Sequence, residues 1–115
     1  MSRDLSFWKA RKKGDQENEA TYAALSNEEF LDFVDEIPVL QVQQDFDEVF
    51  KDWNNQNFNY EKGSESFQLM LTKQFVRVDC YGVTERNMNR IIDIMIKYNC
   101  PLYDSAINVR FDESL

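Results

Sequence analysis

Apolar side chains at helical spacing predict an amphipathic helix over about residues 41–53. Five of them recur at i, i+4, i+7, i+8 and i+11, so they share one face of a helix. These five are Val42, Phe46, Val49, Phe50 and Trp53. Asp45, Glu48 and Asp52 lie beside that face and form an acidic stripe. We therefore expect the helix to bury one side and to present carboxylates on the other.

An earlier helix is predicted between Ser26 and Pro38. Ser26 can act as its N-cap, and Glu29, three residues later, can complete a capping box. Pro38 ends the helix because a proline disfavours helical geometry in the residue before it. The apolar face of this helix would consist of Phe30, Phe33, Val34 and Ile37. Residues 9–20 are mostly polar and charged, and we interpret them as a loop.

A third helix is predicted over about residues 85–98, with Thr84 as its N-cap. Its apolar stripe is broad, which is typical of a helix that packs deeply on a sheet. The central positions of that stripe are Met88, Ile91, Ile92 and Met95.

Alternating apolar residues predict a pair of strands between residues 67 and 81. In the first strand Phe67, Leu69 and Leu71 share one face, and the second strand is rich in aromatic and β-branched residues. Val76, Val78 and Cys80 share one face of that second strand. A short opening strand is predicted at residues 5–8, and residues 102–103 with 107–111 are predicted to form one final strand. Residues 58–60 would add a fifth strand to the sheet.

This order of elements predicts a single α+β domain that spans residues 1–115. Helices grouped apart from the strands favour a two-layer sandwich. We expect a mainly antiparallel sheet of four to five strands, with the helices packed on one face.

The composition excludes several classes of function. The 115 residues include 21 acidic and 13 basic side chains, for a formal net charge of −8. Direct binding to nucleic acid is not expected, because it needs a basic surface that neutralises phosphates. Binding to an anionic membrane surface is disfavoured for the same reason. The chain has no histidine, which excludes histidine bases and histidine-bound metals.

Nothing in the pattern of nucleophiles, carboxylates or glycines predicts catalysis. The acidic pairs lie on the outward faces of helices, where burial cannot raise a carboxyl pKa for acid–base work. Cys80 and Cys100 are expected to be buried, reduced thiols. We predict that the protein is not an enzyme and has no catalytic residues, no metal site and no cofactor.

The N-terminal residues predict no export signal. A signal peptide needs an apolar stretch of about 7–15 residues near the N-terminus. Here residues 2–4 are polar and no apolar stretch of that length follows them. The longest apolar runs are too short to span a bilayer. We therefore expect a cytoplasmic protein with no membrane partner.

Acidic residues are concentrated in one part of the chain. Residues 15–61 contain 13 acids and one base, for a net charge of −12. Carboxylates held on helices would attract a basic protein and speed its association, although acidity also serves solubility. The predicted partner-binding residues are Asp32, Asp35, Asp45, Glu48, Asp52 and Trp53. Trp53 is the aromatic side chain considered as an interface anchor, with core packing as its alternative role.

Three stretches carry a resemblance to a known family. They are residues 4–9 (DLSFWK), residues 66–82 with SFQ at their start and KQFVRVDCYG at their end, and residues 99–104 (NCPLYD). With these stretches the chain resembles small immunity proteins encoded beside bacterial polymorphic toxins, including those of contact-dependent growth inhibition systems. The resemblance implies a cytoplasmic protein that binds one cognate toxin domain and blocks its active site or substrate entry.

A basic toxin domain, with nuclease activity as the expected chemistry, is therefore the predicted partner. Two alternatives stay open. The first is an acidic mimic of nucleic acid, encoded by a phage or plasmid, that occupies a DNA-binding protein. The second is a non-catalytic adaptor or homodimer. A toxin gene immediately upstream would favour the immunity function, and a phage operon would favour mimicry.

Overall fold

The computed structural model describes residues 2–11 and 17–111. In this part of the chain three helices and seven strands follow one another. They are β1 (Ser2–Phe7), α1 (Asn18–Ser26), α2 (Val39–Val49), β2 (Asn54–Gln56), β3 (Asn59–Lys62), β4 (Glu65–Leu71), β5 (Val76–Tyr81), α3 (Glu85–Ile96), β6 (Leu102–Asp104) and β7 (Val109–Arg110).

The seven strands form one antiparallel sheet in the order β2-β3-β4-β5-β1-β6-β7. The predicted strand pair is confirmed as β4 and β5, with Phe67 opposite Cys80 and Leu71 opposite Val76. The predicted α+β class and the antiparallel sheet are also confirmed. The predicted strand number of four to five is too low, because β2 consists of two asparagines and a glutamine that show no alternation of apolar residues.

Helices α2 and α3 cover one face of the sheet. The predicted face of β5 is confirmed, since Val76, Val78 and Cys80 are buried on this side. Helix α2 begins two residues earlier than predicted and ends at Val49, so Trp53 follows the helix. The side chain of Thr84 caps α3 as predicted, by accepting a hydrogen bond from the amide of Asn87 (3.3 Å). The helix residues that face this core are Val42, Phe46, Ile91, Ile94 and Met95.

The opposite face of the sheet is covered in part by α1. Because successive residues of β1 point to opposite sides, Asp4 faces away from the core that holds Leu5. The hydroxyl of Tyr22 in α1 donates a hydrogen bond to Asp4 (2.6 Å). Tyr22 and Leu25 also pack on a second apolar cluster built around Trp8, Val34, Phe75 and Tyr103. The expectation that all helices pack on one face is therefore wrong.

The helix predicted between Ser26 and Pro38 is wrong as well. The helix here ends at Ser26 and occupies residues 18–26, part of which we had interpreted as loop. Of the predicted loop, residues 12–16 lie outside the described residues. Two hydrogen bonds end α1: the amide of Glu29 donates to Ala24 (3.0 Å) and that of Glu28 donates to Leu25 (3.0 Å). This pair of bonds is a Schellman motif, which turns the chain out of the helical path.

Apart from a local bond from the amide of Val34 to the carbonyl of Leu31 (3.2 Å), the backbone after this turn bonds to distant parts of the chain. The amide of Asp35 donates to Lys9 (2.8 Å), and that of Ile37 donates to Lys73 (2.7 Å). The side chain of Gln74 binds the backbone of Leu31 and Val34. Apolar positions at helical spacing are thus buried by an extended segment, because long-range hydrogen bonds replace the local bonds of a helix.

Candidate functional site

Asp45 joins α2 to the C-terminal end of α3. Its carboxylate accepts a hydrogen bond from the ammonium group of Lys97 (2.9 Å) and another from the hydroxyl of Tyr98. These bonds, first that of Tyr98 and then that of Lys97, hold the pKa of Asp45 below its ordinary value. Burial and the neighbouring carboxylate raise the pKa of Tyr98 to about 12. Asp45 therefore stabilises the packing of two helices of its own chain.

Asp47 joins α2 to the edge of the sheet in the same way. Its carboxylate accepts hydrogen bonds from the hydroxyl of Tyr60 (2.6 Å) and from the side-chain amide of Asn55 (3.0 Å). The side chain of Tyr60 is 1% exposed and packs against Phe67 with ring centroids 4.7 Å apart. Asp47 is not among the residues predicted from the sequence, because a hydrogen bond to a strand 13 residues away leaves no local pattern.

Three other predicted carboxylates are paired with cations of the same chain. Asp35 lies 2.9 Å from the guanidinium of Arg11 and 3.9 Å from the ammonium of Lys9. Glu48 lies 3.5 Å from Lys51. Asp52 forms an ion pair with Lys62, and this hydrogen bond lowers the pKa of Asp52. All three acids lie at the surface, but each has a positive charge beside it.

Trp53 lies in the core. Its side chain is 6% exposed and packs against Phe50 and Phe67, with ring centroids 5.1 and 5.6 Å away. A ring this deeply buried offers a partner little surface, so the geometry favours core packing of Trp53 over a role as interface anchor.

A second group of carboxylates has a different environment. Six exposed acids lie between residues 17 and 36, and no described residue forms an ion pair with any of them. We call this set the unpaired acidic group. It consists of Glu17, Glu19, Glu28, Glu29, Asp32 and Glu36. Of the predicted partner-binding residues, Asp32 alone belongs to it.

Phe30 lies within the unpaired acidic group and is 61% exposed. The apolar spacing predicts Phe30 on the buried face of a helix, together with Val34 and Ile37. Those two residues are indeed buried, at 0% and 6% exposed. Phe30 is turned outward because it follows the Schellman motif, and that motif was hidden by the absence of a glycine at its turning position.

The remaining reactive groups form no assembled site. Cys80 and Cys100 are free and buried, and burial raises the pKa of their thiols to about 12 and about 11. Thiols with such pKa values are poor nucleophiles near neutral pH. Within residues 2–11 and 17–111, no three Cys, Asp or Glu side chains are grouped so that they could hold a metal ion. No helix in these two ranges has both the length and the apolar character needed to cross a membrane.

Comparison of the chain with family models, with curated proteins and with solved structures finds no match. The candidate site therefore rests on its own geometry. This geometry provides a surface of carboxylates. Some of them pair with cations of the chain, and others have no ion pair with a described residue and surround the exposed side chain of Phe30.

Proposed function

We propose that the protein is a non-catalytic immunity protein that binds a basic toxin domain and blocks its active site or substrate entry. The expected toxin is a nuclease, because an enzyme that binds phosphates carries a basic surface. The complex would form in the cytoplasm. The observation that carries the proposal is the unpaired acidic group, whose six carboxylates face solvent without a described cation beside them.

The pairing state of each carboxylate decides how far its charge acts. A carboxylate that lies about 3 Å from a cation forms a nearly neutral pair, and its field falls off quickly with distance. An unpaired carboxylate attracts cations over about 8 Å at physiological ionic strength. Long-range attraction of a basic partner is therefore assigned to the unpaired acidic group. Asp35, Asp45, Glu48 and Asp52 would make short-range contacts at most.

Stopped-flow association with the protein encoded by the gene immediately upstream tests this proposal. The wild-type association rate should fall as salt is added. Charge reversal of Glu28, Glu29 and Asp32 to Lys should slow association about 10-fold or more at low salt and flatten the salt dependence. The fold should be retained, because none of these three side chains has an ion pair with a described residue.

A matched triple variant separates the position of the charge from its total. Reversal of Glu61, Glu85 and Asp93 changes the net charge by the same amount at exposed sites outside the unpaired acidic group. We expect this control to slow association much less. Equal rates for wild-type protein and the first variant would contradict the proposed role of the group, and acidity would then serve solubility. An upstream partner that binds DNA and belongs to a phage operon would support the mimic instead.

A further inference from the structure

Phe30 is an exposed aromatic side chain in a chain that buries most of its aromatic residues. Its ring is 61% exposed, compared with 40% for Phe58, 47% for Tyr81 and 49% for Phe111. When a partner covers an exposed ring of this size, the complex is stabilised by roughly 25 cal/mol for each Å² of apolar surface removed from water. If the ring lay on a mobile loop, the entropy lost when the loop becomes ordered would offset much of that stabilisation. The contribution of Phe30 to binding therefore depends on how firmly its backbone is held.

The backbone on both sides of Phe30 is fixed. Before it, the Schellman motif joins Glu28 and Glu29 to the last turn of α1. After it, the amide of Leu31 donates to the side-chain oxygen of Gln74 (2.9 Å), and the carbonyl of Leu31 accepts from the side-chain nitrogen of Gln74 (2.7 Å). Gln74 is itself 2% exposed. Phe30 is therefore held outward by two anchored neighbours before any partner arrives.

The charges around Phe30 indicate the chemistry of that partner. Glu28, Glu29 and Asp32 are exposed within two residues of it, and none has an ion pair with a described residue. Binding hot spots are commonly aromatic side chains that enter a pocket and are surrounded by a polar rim. Three carboxylates at the rim fit a pocket bordered by Lys or Arg side chains and oppose an acidic one.

We propose that Phe30 is the anchor of the toxin interface and that it enters an apolar pocket bordered by basic side chains on the toxin domain. This inference rests on the proposed function, since it assigns a residue of the interface to the same partner. The unpaired acidic group accelerates encounter, and Phe30 holds the complex together once it has formed. The two contributions act on different rate constants, which makes them separable.

The test measures binding of the full chain to the purified protein encoded by the gene immediately upstream. Stopped flow gives the association rate, and surface plasmon resonance gives the dissociation rate. Phe30→Ala should weaken the complex about 30-fold or more, mainly through faster dissociation. Its association rate and the salt dependence of that rate should stay close to wild type. Phe111→Ala removes the same side chain from another exposed site and should change the affinity less than about 3-fold.

A conservative variant and an unfolding curve separate a lost contact from a lost fold. Phe30→Tyr retains the ring and should restore most of the affinity, whereas a loss of fold would be visible in the unfolding curve of either variant. A dissociation rate of Phe30→Ala equal to that of wild type overturns the anchor and leaves the proposed function intact. Absence of wild-type binding to the upstream protein overturns the proposed function, and the assignment of Phe30 with it.

Discussion

The acids around α2 and the unpaired acidic group carry the same charge in the sequence but differ in what they contact. Around α2, Asp45, Asp47 and Asp52 together bind two lysines, two tyrosines and an asparagine from other parts of the fold. Between residues 17 and 36, six exposed carboxylates have no ion pair with a described residue. Acidic residues of one chain thus divide into those that bond to other parts of the fold and those that have no described cation beside them.

This difference changes what a mutation would reveal. Removal of an acid near α2 takes an acceptor away from donors that were positioned for it, so it reduces stability. Removal of an acid from the unpaired acidic group takes away charge but no ion pair with a described residue. Stability measurements on single variants can therefore test this difference between the two sets of acids without knowledge of the partner.

The largest effect is expected for Asp47→Ala. The substitution leaves the hydroxyl of Tyr60, on a ring that is otherwise buried, without its acceptor and also frees Asn55. We expect the free energy of unfolding to fall by about 1.5–2 kcal/mol, since bonds to a charged group contribute more than neutral ones. Urea unfolding at neutral pH measures this loss. Glu29→Ala is the matched control and should change stability by less than about 0.5 kcal/mol.

Two results would break the comparison. If Asp47→Ala and Glu29→Ala have the same small effect, the acids near α2 do not stabilise the fold. If Glu29→Ala costs as much as Asp47→Ala, the unpaired acidic group has internal bonds in solution and is not free for a partner.

An intermediate effect is expected for Asp45→Asn, and it should depend on pH. The folded pKa of Asp45 is lower than its ordinary value of 3.8. The carboxylate therefore contributes stability above that ordinary value, and the contribution is lost as the pH falls through the lower, folded pKa. We expect Asp45→Asn to cost about 1 kcal/mol near neutral pH, because the site is partly open to water.

Urea unfolding of Asp45→Asn and wild type across acidic pH checks the sign. The difference between the two proteins should be constant above about pH 5 and should shrink at the acidic end, where protonated Asp45 resembles asparagine. A difference that grows as the pH falls would contradict the contacts with Lys97 and Tyr98.

Regular patterns made much of this fold predictable from the sequence. Helix α2, helix α3 and the pair of β4 with β5 each contain enough apolar residues at one period to show their buried face. The capping role of Thr84 was also predictable, because its bond to Asn87 is local. Elements with a regular local spacing of apolar residues can be predicted from the sequence alone.

Long-range contacts made the remainder unpredictable. The segment after α1 carries the apolar spacing of a helix, yet its backbone bonds to Lys9, Lys73 and Gln74. Strand β2 has no apolar residue, and its pairing with β3 defines it. The candidate site was affected in the same way, since pairing of Asp45 with a lysine 52 residues away cannot be read from charge patterning.

The smallest effect is expected at Glu28, and its sign is opposite to that of the acids near α2. Glu28 occupies the turning position of the Schellman motif with a φ of +60°, a conformation that favours glycine. Asn99 takes the same position after α3, with the same φ of +60°, and asparagine tolerates it better.

Glu28→Gly should therefore raise the free energy of unfolding by about 0.5 kcal/mol, the net of relieved strain and the greater freedom of glycine in the unfolded chain. Asn99→Gly should bring a smaller gain. Thermal or urea unfolding of both variants measures the difference. A loss of stability in Glu28→Gly would mean that its carboxylate makes a stabilising bond and belongs with the acids near α2. A gain would show that the positive φ of Glu28 strains the folded chain and that the carboxylate beside Phe30 does not offset this strain by a bond within the fold.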